Sequence, residues 1–204
     1  MAAAGDNVGP NWYARIAMEP STLETIIRIT AREHLLIASS RGTAMDESPD
    51  KLAALADVVR ALDRLAVPHA VVGGVAVGIR SGVPRATIDT DVAVRSTVEQ
   101  HSLIEALTGA GLRLTGTFAH SLNFRHPSGE PVQIVFDPEF DAMIDRAEPL
   151  EVAGVRIRVV TTDDLIAMKE RAASDPARRR SKALRDQADI ALLRGDVPDP
   201  NEGW

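Results

Sequence analysis

The chain contains no cysteine, which excludes disulfide staples and thiolate zinc sites and leaves folding to an apolar core. Aromatic residues make up only 3% of its 204 positions, too few for a base-stacking platform on nucleic acid. No window approaches the roughly 18 unbroken apolar residues that a membrane span needs. The opening "MAAAGDNVGPNWYARIAMEP" has no basic start followed by an apolar run, so no export signal is expected. Basic charge is not in excess either: a net charge of -6 argues against coating nucleic acid by bulk electrostatics. Lysine is scarce, with Lys51, Lys169 and Lys182 the only ones among 23 basic residues. What is present is a hydrophobic fraction of 45% and a charged fraction of 25%, the balance of a globular protein with a real core. A cytoplasmic, independently folding protein is the expectation.

Periodicity and turn residues divide the chain coarsely. Ser21 and Glu24 stand in capping-box spacing ahead of a helical pattern through Leu23, Ile26, Ile27 and Leu35. After the polar break "SSRGTAMDESPD", a helix is expected from about Pro49 to Leu65, with Leu52, Leu55, Val59 and Leu62 on one stripe. "HAVVGG" reads as a short buried strand ending in a glycine turn, "VAVGIRSG" as a short helix stopped by Gly82, and "IDTDVAV" as the next strand. Ser96 and Glu99 form a second capping box before a helix to about Leu107. "LRLTGTFA", "SLNFRH" and "PVQIVFD" read as three strands, "DAMIDRA" as a short helix, and "LEVAGVRIRVV" as one or two strands around Gly154. Thr161 and Asp164 cap the helix "DLIAMKERAAS", and a last helix has Pro176 near its start and Gly195 at its end; the tail "DVPDPNEGW" is expected to be irregular. The expected fold class is therefore α/β (α+β), a mixed sheet with flanking helices. The expected organisation is a helical extension over residues 1–44, a core over 45–160 and a C-terminal helical part over 161–204. Met45, inside the polar break, is a candidate translation start.

Two acids stand out. On a strand, residues i and i+2 point the same way, so Asp89 and Asp91 share a face with α-carbons about 7 Å apart. Carboxylates so placed chelate one hard cation or two neighbouring ones, the device used for in-line displacement at phosphorus. Ile88, Val92 and Val94 would occupy the packed face. An edge strand carrying two solvated acids is the plain alternative. Gly73 and Gly74 weigh against it, because a Gly-Gly turn between a buried strand and a helix brings backbone N–H groups close to a phosphate.

The stretch "VVGGVAVGIRSGVPRATIDTDVAV" resembles the signature of the polymerase-β-like nucleotidyltransferase superfamily. With "PRATIDTD" it is similar to the AbiEii-type toxin nucleotidyltransferases of bacterial toxin–antitoxin systems, the group that includes the MenT enzymes. The likeness runs from about Val71 to Leu193. Thr90 stands where an apolar residue is usual between the acids. The resemblance implies a nucleotidyltransferase fold and transfer of a nucleoside monophosphate from a nucleoside triphosphate (NTP), typically to the 3′ end of tRNA. It implies that Gly73 and Gly74 hold the triphosphate and that Asp89 and Asp91 bind Mg²⁺ (or Mn²⁺). "LIAMK" matches the helical lysine at Lys169 and "RDQADI" the later acid at Asp186. It further implies a cognate antitoxin, and Thr87 occupies the place where some members are phosphorylated by theirs. The superfamily's third carboxylate, on a later strand, is matched by Gln133; Asp137, four residues on, is a candidate substitute.

Other residues carry two readings each. Lys169 lies on the apolar flank of its helix, either as a snorkelling stem or as a point charge on phosphate. Asp186 shares a face with Ile190 and Leu193, either as a site acid or in a surface pair with Lys182, and Arg185 has the same option with Asp189. Arg80 and Arg85 flank the glycine–aspartate module as candidate phosphate clamps. Arg178, Arg179, Arg180, Lys182 and Arg185 form a run that is either a solvated helix face or a phosphate-contacting patch. His120 and His126 bracket a strand without trustworthy metal spacing. A small-molecule or protein acceptor, and an inactive nucleotide-binding regulator motivated by Gln133, stay open as alternatives.

Overall fold

The computed structural model describes residues 24–29 and 49–197. Most of the expected 1–44 extension, the polar break with Met45, and the tail from 198 onward lie outside the described residues. Residues 24–29 are helical, with Ile26 and Ile27 buried. Ile26 lies against Gly78, where an added Cβ would come 3.3 Å from its side chain, so this piece of the extension packs on the core.

Helix α1 (Lys51–Arg64) is started by Asp50, whose carboxylate accepts from the backbone N–H groups of Leu52 and Ala53 at 3.0 Å. Strand β1 (His69–Val72), buried at all four positions, runs straight into helix α2 (Gly73–Ser81), which Gly82 ends in the left-handed region at φ 72°. Strand β2 (Thr90–Val94) follows, then helix α3 (Gln100–Gly109). Here the expected capping box fails. Glu99 is the N-cap without a side-chain cap bond, and Ser96 instead binds Asp141 through its hydroxyl (2.7 Å) and its backbone N–H (2.8 Å). A tertiary acceptor has won over the local one.

Strands β3 (Arg113–Thr117), β4 (Ser121–Arg125) and β5 (Pro131–Val135) form an antiparallel meander. A 3-10 turn (Pro138–Phe140) and helix α4 (Asp141–Arg146) lead to the hairpin β6 (Glu148–Val152) and β7 (Val155–Val159). Its turn uses left-handed backbone at Ala153 and Gly154. Helix α5 (Thr162–Ser174) starts at Thr161, whose hydroxyl accepts from the Asp164 N–H as expected. Helix α6 (Arg180–Leu193) begins four residues beyond Pro176.

All seven strands form one mixed sheet in the order β3-β4-β5-β2-β1-β7-β6. Strand β2 is central, antiparallel to β1 and parallel to β5. Helix α1 packs against α3, β2 and β7, while α2 packs on β1 and β2 and is flanked by α5 and α6. The C-terminal helices thus close over the glycine turn. In β2, Val92 and Val94 are buried as expected, but their partner on that face is Thr90, and Ile88 is 49% exposed.

Candidate active site

The junction of β1 and α2 is an elbow that only glycine permits. Gly73 has φ +66°, and a Cβ there would come within 3.0 Å of three Asp91 side-chain atoms. Gly74 has ordinary backbone angles, yet a Cβ on it would collide with the Arg85 guanidinium and with Thr87. Asp91 reaches the elbow because β2 pairs it with Val72, the last residue of β1. Burial, then the neighbouring Asp89 charge, push the Asp91 carboxyl up to about 7, against the opposing pull of Lys169, Lys51 and Arg85. Asp89 itself sits at a bend one residue before β2, where its Oδ1 accepts from the Thr87 hydroxyl at 3.2 Å. The two acids therefore converge from a strand and from its entry loop, rather than from one strand.

The next strand brings Gln133 directly beside Asp91 in register, and Asn123 beside Gln133. The Gln133 amide nitrogen donates to Asn123 Oδ1 at 3.2 Å. Asp137 does not substitute for a third acid. It lies two residues past β5, at the end of the sheet away from Asp89, and caps the 3-10 turn by accepting from the Glu139 N–H. Four residues beyond Gln133, it stands about 13 Å along the strand direction from the position beside Asp91.

A buried ion network closes the other side. Lys169 on α5 is 7% exposed and lies 2.9 Å from both Asp186 Oδ1 and Asp189 Oδ2. Asp186 also accepts from Arg178 Nε at 2.5 Å, and Asp189 accepts from Arg85 Nε. Burial alone would raise the Asp186 carboxyl, but the hydrogen bonds from Arg178 and Lys169 hold it below the ordinary carboxylate range. The surface pairs Asp186–Lys182 and Asp189–Arg185 do not form; both cations are exposed. The sequence places Asp189 only as a surface partner for Arg185 and gives no sign of the inward turn of Arg178, although the acids of "RDQAD" stand three apart on one helical face.

A family model described as the nucleotidyl transferase AbiEii toxin of type IV toxin–antitoxin systems matches residues 54–202. The chain belongs to the AbiEii family. Two solved structures share the fold of this AbiEii nucleotidyltransferase. The lincomycin-bound lincosamide antibiotic adenylyltransferase LnuA superposes with a TM-score of 0.50 at 14% identity, over 69% of this chain and 94% of that one. An antigenic nucleotidyltransferase-like protein from Paracoccidioides brasiliensis gives 0.50 at 21% identity, over 74% and 78%. Comparison with functionally characterised proteins finds no sequence match.

Not every expected residue reaches the elbow of this AbiEii enzyme. Arg80 sits at the far end of α2, where it donates to the carbonyls of Val160 (2.8 Å) and Val159 (2.7 Å) and to Glu148 (2.7 Å). It braces the end of β7 and leaves the elbow to Arg85. In the basic run Arg178 is tied down, whereas Arg179, Arg180, Lys182 and Arg185 are exposed. His126 is buried against Ser128 and Asp57, and His120 faces Asp137 at 3.6 Å, both away from the elbow. A cavity of about 420 Å³ lies at the opposite end of β1, bordered by His69, Arg95 and Arg158. No helix among the described residues is long and apolar enough to cross a membrane.

Proposed function

We propose that this AbiEii nucleotidyltransferase transfers a nucleoside monophosphate from an NTP to the 3′ end of an RNA, tRNA in particular, with Asp89 and Asp91 holding Mg²⁺ (or Mn²⁺). The observation that carries the reading is the Asp91 carboxylate lodged against a glycine elbow beside a second acid. The Asp89 charge is felt at Asp91, and like charges so placed are stabilised by a cation. The donors fit one: two carboxylates and the nearby Gln133 amide are hard oxygen ligands. Mg²⁺ commonly takes only one or two protein carboxylates and completes its shell from water and phosphate. When bound, the ion supplies charge neutralisation on the triphosphate.

The rest is the work of the chain. The backbone N–H groups of Gly73 and Gly74, at the positive end of α2, receive phosphate oxygens. Arg85 lies over Gly74 and offers its guanidinium to the same phosphates. The acceptor hydroxyl attacks the α-phosphorus and loses its proton to solvent, while the bond to the bridging oxygen breaks and pyrophosphate leaves. Lys169 meets the charge that develops on the phosphates. Asp186, held low by Lys169 and Arg178, orients Lys169 rather than accepting a proton. Purified protein, Mg²⁺, each labelled NTP and total RNA test the reading: label on RNA supports it, and nucleotide binding without transfer to RNA overturns it.

Support for RNA comes from Arg179, the N-cap, and Arg180 and Lys182, all exposed at the start of the helix that carries Asp186. Reversing all three to glutamate is expected to weaken RNA labelling by about tenfold or more at physiological salt, since each lost phosphate contact removes counterion release. Nucleotide binding should persist. An unchanged RNA dependence would point to a small or protein acceptor.

A cognate antitoxin is the partner of a type IV toxin, and Thr87 is its proposed point of control. The Thr87 hydroxyl lies at Asp89 and over Gly74, so a phosphoryl group there would add about -2 charge beside the acids and in the path of the triphosphate. Thr87→Glu is expected to lose transfer with its melting temperature retained. Full transfer by that variant would remove Thr87 from this role.

A further inference from the structure

The unusual residue between the two acids has a buried anchor. The Thr90 side chain points through the sheet, away from Gly73, and its hydroxyl donates to Glu130 Oε1 at 3.0 Å. The same oxygen is ion-paired with Lys51 Nζ, and exposures are 0% for Thr90 and Glu130 and 1% for Lys51. Glu130 Oε2 finds no hydrogen-bond partner among the described residues. Lys51 opens α1, and Glu130 ends the β4–β5 turn. That turn is pinned to α1 by two further bonds: Asp50 N–H to Ser128 Oγ at 3.0 Å, and His126 Nε2 to Asp57 Oδ2 at 3.2 Å.

A buried Lys–Glu pair is poor evidence for stability, because desolvating both ions offsets most of their attraction and an apolar pair of similar size serves a core as well. Its place is what gives it meaning. Asp89 stands outside the strand, at a bend, so nothing in the β-ladder holds it level with Asp91. Thr90 is the single residue joining the two, and its hydroxyl is tied to a carboxylate that is itself locked to a helix. Rotation of the strand entry would break that bond and leave Glu130 with one partner fewer in a dry interior, which is costly. We infer that Thr90, held by Glu130 and Lys51, is a positioning residue that sets Asp89 and Asp91 at a common distance from the elbow for divalent-cation binding. The inference rests on the proposed metal role of the two acids.

The test measures Mn²⁺ alone binding to the full chain, by the loss of the free-ion resonance in electron paramagnetic resonance, together with the metal dependence of transfer. Thr90→Val keeps the shape and removes the hydroxyl; Thr90→Ser keeps the hydroxyl. Thr90→Val is expected to weaken Mn²⁺ binding by about tenfold, the scale typical of lost outer-shell support at metal sites. The loss should appear in the metal concentration for half-maximal rate far more than in the rate at saturating metal, and Thr90→Ser should restore most of it. If Thr90→Val fails to fold, Lys51→Met/Glu130→Met supplies the second arm, since it fills the core while removing the hydroxyl's acceptor, and the same weakening is expected. Wild-type affinity in either folded variant overturns the inference and leaves the proposed function standing. No Mn²⁺ binding by the wild-type chain overturns both.

Discussion

Asp91→Asn is expected to lower nucleotide transfer by more than about 100-fold, because several kcal/mol of charge stabilisation are lost and each 1.36 kcal/mol is tenfold in rate. Asn keeps the size of the side chain and removes its charge, so the elbow should stay intact. The same variant has a second signature, in stability without metal. The folded-state pKa of Asp91, about 7, lies above its ordinary value of 3.8. Between those values the folded protein keeps a proton that the unfolded chain has released, so stability falls as pH rises and levels off above about 7. Asp91→Asn should flatten that fall. It should not abolish it, since the Glu130 carboxyl is also raised, first by burial. Thermal melts in chelator from pH 5 to pH 8, with transfer assays alongside, check both. Retained transfer, or an unaltered pH slope, would remove Asp91 from the centre of the site.

Lys169→Met should have the largest effect on the fold. It strips the shared cation from Asp186 and Asp189, two carboxylates each 2% exposed, leaving them to face each other with only Arg178 and Arg85. Breaking a buried pair from one side costs about 3–5 kcal/mol, which in a chain of this size is a fall in melting temperature on the order of 10 °C. Transfer should drop by more than about 100-fold at temperatures where circular dichroism shows the variant folded, because Lys169 is also the proposed counter-charge to the phosphates. The acid limb has a definite sign. Asp186 is held below its ordinary value of 3.8, so the stability it contributes is present above that pH and is lost as pH falls through the lower, folded value. With Lys169 gone, acidification should cost the variant less than it costs the wild type. A variant as stable as the wild type would show that the network is solvated rather than buried.

The scarcity of lysine carries more information than one residue draws from it. Of Lys51, Lys169 and Lys182, the first two are buried in ion pairs and both charges are felt at Asp91. The resemblance of "LIAMK" to the family's helical lysine points to Lys169, and its apolar helix flank is compatible with that role. Lys51 went unnoticed because it stands at a helix start, where a lysine is ordinarily solvated. Thr90 was legible as a departure from the family pattern but not as a consequence, since its partner lies 40 positions away. Arg80 and Arg85 could not be told apart by spacing. They flank the same module, and only the path of α2 sends the first to the far end of β7 and the second over the elbow.

Local chemistry in the sequence was enough for the glycine turn, the helix stops, the strand that carries Asp91, and the family. The first three depend on residues within a few positions of one another, where backbone angles and side-chain alternation decide the outcome; the family is carried by the pattern of motifs along the chain. Tertiary structure alone decided which charges meet. Arg85 finds Asp189 across 104 positions and Lys51 finds Glu130 across 79. Such pairings follow from the order of strands in the sheet and the helices that close over it, not from any periodicity along the chain. The parallel pairing of β5 with β2 also excludes Asp137: it sets Gln133 beside Asp91 and leaves Asp137 four residues further along, toward the other end of the sheet.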